Sequence, residues 1–280
     1  MTQLIADSGA SKTDWRIVND GSVMKSFQTE GYNPYFLSAE QIKSSLGKNV
    51  FSQADSTVDE IYFYGSGCSA EEKKAIMKNI FTDFFPKAKI EITEDLLGAA
   101  RALLGNQQGF AAILGTGTNT CVYDGEKITQ CIDSLGYFLG DEGSGAAIGK
   151  KLLQAHLRNY MPEELSTEFS KLIKLNREQI LDRLYNQPFP NRFLASAVPF
   201  AAAGREHFFI RELIIECFTD LFTHLVSYYE NYQQYEFNCV GSIGFAFKEE
   251  LTLVAKEFGM KTGKFLRVPI EELVNYHSGK

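Results

Sequence analysis

Four short runs of small and acidic residues carry the chemical potential of this sequence. The first is Asp7-Ser8-Gly9-Ala10-Ser11-Lys12-Thr13-Asp14-Trp15, a turn of small residues after an apolar stretch. Small side chains let backbone N–H groups approach phosphate oxygens, and an Asp at a strand end can hold a hydrated Mg²⁺. Any tight hairpin containing glycine has the same local composition. The second run, Gly115-Thr116-Gly117-Thr118-Asn119-Thr120, again follows an apolar strand. The third, from Gly136 to Gly145, is a glycine-rich loop opening a helix. Its Asp141 and Glu142 are either ligands or helix-terminus acids, which gain about 0.3–1 kcal/mol from the helix dipole. Asp95, read as a first-turn acid behind a Thr93 cap, carries the same two meanings. The fourth run, Cys239-Val240-Gly241-Ser242-Ile243-Gly244, ends a buried strand. It would either admit a nucleoside or ease strand-to-helix packing. A small-residue stretch from Phe200 to Arg205 is a candidate second wall. None of these runs is a P-loop or a G-x-G-x-x-G fingerprint.

The elements that must position these runs fall into a repeat. Strands are predicted at Leu4 to Ser8, Trp15 to Val18 and Val23 to Phe27, then at Glu60 to Tyr64 and Ala88 to Ile92, with helices at Ala39 to Leu46, Ala70 to Phe85 and up to Leu104. A second three-strand meander follows at Phe110 to Leu114, Asn119 to Tyr123 and Lys127 to Ile132, and the boundary is placed near residues 105–109. Helices are then expected at Ser144 to Tyr160, Thr167 to Leu175, Arg177 to Leu184, Phe193 to Ala203 and Glu206 to Tyr232. A strand at Phe237 to Val240 and a helix at Phe247 to Phe258 close the reading.

Length and charge bound the function. The chain has 280 residues, 44% hydrophobic and 22% charged, enough for two ordinary globular domains. A net charge of −7 argues against a nucleic-acid surface. No run reaches the roughly 20 apolar residues that span a bilayer, and no basic leader precedes an apolar stretch, so a cytoplasmic protein without membrane contact is expected. Five cysteines without a C-x-x-C pair are read as reduced thiols.

In order, D-S-G-A-S-K-T-D-W, G-Y-N-P, T-E-D-L-L-G-A-A, L-G-T-G-T-N-T, G-D-E-G-S-G and V-G-S-I-G resemble the BadF/BadG/BcrA/BcrD ATPase family over nearly the whole chain, and within it the N-acetylglucosamine kinases. The resemblance implies an α/β fold of two ribonuclease H-like domains of the actin/hexokinase type with a cleft between them. These would be residues 1–106, with a C-terminal helix at 268–280 as a candidate to complete it, and residues 107–267 with a helical insertion. It implies ATP and Mg²⁺ as cofactors and phosphorylation of an amino sugar, N-acetylglucosamine first. The alternative is an ATPase that activates or regulates a partner protein.

Asp7, Gly9, Ser11, Lys12 and Thr13, with Thr116, Gly117, Thr118 and Asn119, would then hold phosphates, and Asp7 would hold the metal through water. Gly204, Gly241 and Ser242 would flank the adenosine. Asn33, Asp95, Gly136 and Asp141 would line the sugar, with Asp95 as the base; a homodimer is the default expectation only because two-fold dimers are the commonest assemblies. Two departures stand out. Ser8 and Ala10 replace glycines of the family's D-G-G-G-[ST] turn, and cysteines are missing from the loops that ligate iron–sulfur clusters in dehydratase activators.

Overall fold

The computed structural model describes residues 1–52 and 58–279. The chain divides into two compact units, one of Met1–Gln107, Asp124–Lys127 and Val268–Lys280, the other of Gln108–Tyr123 and Ile128–Arg267.

In the first domain, β1 (Thr2–Ser8), β2 (Lys12–Asn19) and β3 (Ser22–Glu30) form an antiparallel meander. The β2–β3 turn has both Asp20 and Gly21 at positive φ, 47° and 74°, the conformation that follows the twist of a two-residue hairpin. β4 (Glu60–Gly65) and β5 (Lys89–Glu94) add in parallel on the other side of β1, giving the order β3-β2-β1-β4-β5. A parallel pair needs a crossover, supplied by α1 (Ala39–Leu46) before β4 and α2 (Glu71–Phe84) before β5; α3 (Asp95–Leu104) follows β5 directly. Trp15 anchors the core, its ring 6.1–6.4 Å from those of Tyr32, Phe63 and Phe81. The C-terminal helix, Ile270–His277, packs on α3 and on β1 and β2 of this domain.

The second domain repeats the plan. β6 (Gly109–Leu114), β7 (Thr118–Tyr123) and β8 (Ile128–Cys131) form the meander, and β9 (Glu236–Val240) and β10 (Lys261–Leu266) extend it in parallel, in the order β10-β9-β6-β7-β8. Its helices are α4 (Gly136–Leu139), α5 (Gly145–Leu157), α6 (Glu163–Ile173), α7 (Arg177–Tyr185), α8 (Pro190–Ala195), α9 (Val198–Ala203), α10 (Phe208–His224), α11 (Ser242–Ala246) and α12 (Lys248–Glu257).

Several expected elements differ. The single helix expected over residues 193–203 is two, because Pro199, which has no N–H to donate, sits in the first turn of a new helix. The helix expected to reach Tyr232 ends at His224. The chain turns there so that the Tyr229 hydroxyl can donate to Thr120 O (2.7 Å) and accept from Ile132 N (2.9 Å). Thr93 is not a cap: it lies in β5 opposite Tyr64, and Glu94 occupies the cap position without a side-chain bond.

Candidate active site

The first glycine turn joins β1 to β2 and is closed by Gly9 N donating to Lys12 O at 3.0 Å. A methyl group on Gly9 would come no nearer than 3.7 Å to Lys12 O, so packing does not demand a glycine there and one face of the turn is open to a ligand. Ser11 and Lys12 are exposed, and Lys12 Nζ pairs with the buried Asp14 carboxylate at 2.8 Å. Thr13 behaves differently from the phosphate contact expected of it. It is fully buried, and its hydroxyl is spent on Glu30 O (2.9 Å) and on Ser8 (2.8 Å).

Asp7 at the end of β1 and Asp95 at the start of α3 form the acidic centre of this domain. Burial pushes Asp7 up to about 7, with the charges of Asp95 and Asp14 adding to the rise and Lys12 opposing it. Burial likewise raises Asp95 to about 6, helped by Glu94 and opposed by the amides of Leu96 and of Asp95 itself. A carboxyl group near 6 has the basicity that suits a general base at neutral pH. Asn33, in the run G-Y-N-P, is buried; its Oδ1 accepts from Tyr35 N (2.9 Å) and its Nδ2 reaches Ser66 Oγ at 3.4 Å. Among the described residues no three His, Cys, Asp or Glu side chains converge on a point that could cage a metal. A hydrated Mg²⁺ fits Asp7 nonetheless, since a carboxyl crowded by other acids gains from a nearby cation.

In the second domain the turn Gly115–Asn119 is tied to the loop before α5. Gly145 N and Ala146 N donate to Gly115 O (2.9 Å) and Thr116 O (3.1 Å). Thr118 N donates to Asp141 Oδ1 (2.9 Å), and Thr118 Oγ1 to Glu142 O (2.6 Å). The Asp141 carboxylate fills the space a Gly117 side chain would need, 3.0 Å from the missing Cβ. Asp141 is buried, and that burial raises its pKa against the Thr118 amide and the Ser134 hydroxyl. It does not cap α5, because Ser144 does so by accepting from Ala147 N at 3.1 Å. The Asn119 side chain accepts from Thr120 N at 3.1 Å. Gly136 is exposed with φ 67° and nothing near its missing Cβ.

A pocket of about 490 Å³ lies wholly in this domain, lined by Gly115 and Thr116 of the turn, by Ala195, Val198, Pro199 and Ala202 from α8 and α9, by Ser242, Ile243, Phe245 and Ala246 of α11, and by Arg267. Thr116 and Ser242 were expected at a nucleotide, and the structure brings them to one cavity. Gly241 answers to packing: at φ 125°, its missing Cβ would lie 2.2 Å from Leu114 O. Gly204, just beyond Ala202, faces Ile210 and Phe200 O and does not line the cavity. Sequence reasoning passed over Ser66, Phe245 and Arg267. For Ser66 a signal existed, since Gly65-Ser66-Gly67 ends β4 as Gly241-Ser242 ends β9, the matching strand of the repeat.

Two domains of this repeated topology, each with a glycine hairpin after its first strand, define an actin-like ATPase fold as found in sugar kinases. The chain is 37% identical to a candidate N-acetylglucosamine kinase from Porphyromonas gingivalis, with 99% of each chain covered and a TM-score of 0.94. It belongs to that family of N-acetylglucosamine-kinase-like proteins. A candidate N-acetylglucosamine kinase from Chromobacterium violaceum shares the fold at 14% identity, with 98% of each chain covered and a TM-score of 0.75. So does a ROK family glucokinase from Streptomyces griseus, solved with glucose and AMPPNP, at 11% identity, 99% and 98% coverage and a TM-score of 0.58. No family model and no curated protein matches the chain.

Proposed function

We propose that the protein transfers the γ-phosphoryl group of ATP to a hydroxyl of an amino sugar, N-acetylglucosamine first among candidates. The observation that carries this reading is Asp95, a half-buried carboxyl held near 6 at a helix start, within electrostatic reach of Asp7 at the phosphate hairpin. Asp95 takes the proton of the sugar hydroxyl, whose oxygen attacks the γ-phosphorus while the bond to the β–γ bridging oxygen breaks and ADP leaves.

Asp7 would hold Mg²⁺ through water, and the ion would supply charge neutralisation at the phosphates. Gly9, Ser11 and Lys12 supply donors on the first domain, with the buried Thr13 bracing the turn through Ser8 and Glu30 O. Thr116, Gly117, Thr118 and Asn119 do so on the second, with Asp141 keeping Gly117 and Thr118 in shape. Ser242 and the pocket walls near Gly241 and Gly204 receive the adenosine; Asn33, Gly136 and Asp141 serve the sugar's other groups. The likeness to the Porphyromonas protein supports the choice of sugar.

The test is ADP release from Mg²⁺–ATP over N-acetylglucosamine, glucosamine, glucose and N-acetylmannosamine, with Asp95→Asn in parallel. Turnover that requires a sugar and vanishes in the variant is expected. Slow hydrolysis indifferent to every sugar would replace this reading with a partner-regulating ATPase.

A further inference from the structure

Ser8 stands where the resembling family carries a glycine, and the fold makes use of its side chain. It is fully buried, and its contacts are internal to the fold. The Thr13 hydroxyl donates its one proton to Glu30 O (2.9 Å), so in the 2.8 Å contact between Ser8 Oγ and Thr13 Oγ1 the serine is the donor. Ser8 Oγ in turn accepts from Tyr32 N at 3.1 Å, and Ser8 O accepts from Ser66 N at 2.8 Å.

These last two contacts converge on one residue. Tyr32 precedes Asn33 in the chain, and Ser66 Oγ accepts from Asn33 Nδ2 at 3.4 Å. The two segments also touch directly, because a Cβ on Gly31 would lie 2.3 Å from Gly9 O and 3.0 Å from Ala10 C. The hairpin therefore cannot shift without moving the segment that carries Asn33. Packed groups with no slack transmit displacement in this way.

We propose that Ser8 is a positioning residue that couples nucleotide occupancy of the Gly9–Lys12 turn to the setting of Asn33, so that bound nucleotide tightens sugar binding. The inference rests on the phosphate and sugar assignments proposed above. Coupling is reciprocal: sugar must tighten nucleotide binding by the same factor.

The experiment compares the full chain with Ser8→Ala and Ser8→Gly. Amide hydrogen exchange is followed at Tyr32 and Tyr35 with and without Mg²⁺–AMPPNP, beside the apparent KM for N-acetylglucosamine at low and saturating Mg²⁺–ATP. In the parent, nucleotide slows exchange at these amides and lowers the sugar KM by ~5-fold or more. Both variants keep the backbone contacts but remove the side-chain link to Tyr32 N, so most of the slowing is lost and the KM ratio falls below ~2-fold, while kcat and the nucleotide-induced rise in melting temperature stay near the parent's. A merely structural role would lower melting temperature and kcat without altering the ratio. Persistence of the nucleotide effect at Tyr32 and Tyr35 in both variants, its absence from the parent, or loss of fold in both variants overturns the proposal. If the parent shows no sugar-dependent turnover, the kinase reading fails, and the exchange measurement still decides the coupling.

Discussion

Asp95 is the residue on which chemistry and stability pull in opposite directions. Folded, it keeps its proton to about pH 6, against roughly 4 in an unfolded chain. Between those values the folded state binds more protons than the unfolded state. The acid's contribution to stability is thus fully present below about pH 4 and is lost as pH rises through about 6. Asp95→Asn removes that loss. The ligand-free variant is expected to melt higher than the parent at pH 8, by the equivalent of roughly 1–2 kcal/mol after allowing for its partial exposure, and the gap should close toward pH 4. Thermal denaturation at the two pH values checks this; a variant that melts lower at pH 8 would contradict the burial cost assigned here. Sugar-dependent kcat/KM in the parent should fall below about pH 6 as Asp95 is protonated, and Asp95→Asn should lie about 10²–10⁴-fold below the parent above that pH, with the gap narrowing toward acid. The sequence alone left Asp95 between cap and base, because an acid in a first helical turn is routine. What it could not supply was the environment that raises the pKa, which is built by burial and by Glu94. Asp141 was ambiguous for the same reason, and its bond to Thr118 depends on a loop returning 23 residues later.

At the scale of elements, the glycine turns separate into those the fold requires and those it leaves open. Gly241 joins β9 to α11 at φ 125°, pressed on the backbone of Leu114 in β6. Gly241→Ala combines a forbidden backbone region with a backbone clash and should cost about 2–4 kcal/mol, read as a lower denaturation midpoint. Gly9→Ala meets no such obstacle. Its stability should stay within about 0.5 kcal/mol of the parent, while its KM for ATP rises, because the methyl occupies the open face offered to phosphate. Equal destabilisation by both substitutions would refute this division. The two meanders and their glycine turns were legible because alternation and turn residues are local signals. β10 was not: Lys261-Thr262-Gly263-Lys264-Phe265-Leu266 has a glycine, two lysines and a register shift after Thr262, and only pairing with β9 makes it a strand. Helices α8 and α9 merged in the sequence reading because their composition is otherwise continuous; the break at Ser196 and Ala197 falls just before Pro199, a local signal the reading passed over.

For the whole molecule, the decisive fact is that the chain returns to its first domain after completing the second. The returning helix is pinned by groups far apart in sequence, which is why no local pattern announced the contact. Arg101 Nη1 donates to Tyr64 OH and to Glu91 Oε1, each at 2.8 Å. With its oxygen receiving from Arg101, Tyr64 gives its own proton to His277 Nε2 at 2.7 Å, and Tyr62 stacks on the same imidazole with ring centroids 3.6 Å apart. Burial and the Arg101 charge push His277 down to about 4, so it is neutral at pH 7 and can accept that proton. Arg101 lies on α3, the helix that begins with Asp95, so the clamp fastens the end of the chain to the helix that carries Asp95. Tyr64→Phe deletes one oxygen and leaves His277 Nε2 and one Arg101 N–H without this partner, at a cost of about 1–3 kcal/mol. In a chain of this size that corresponds to a melting temperature lower by roughly 2–10 °C. The rise in melting temperature produced by Mg²⁺–AMPPNP should survive, since none of the clamp residues Tyr62, Tyr64, Glu91, Arg101 and His277 belongs to the proposed nucleotide site. An unchanged melting temperature would mean that apolar contacts of Ile270, Leu273 and Val274 hold the helix without help from the clamp.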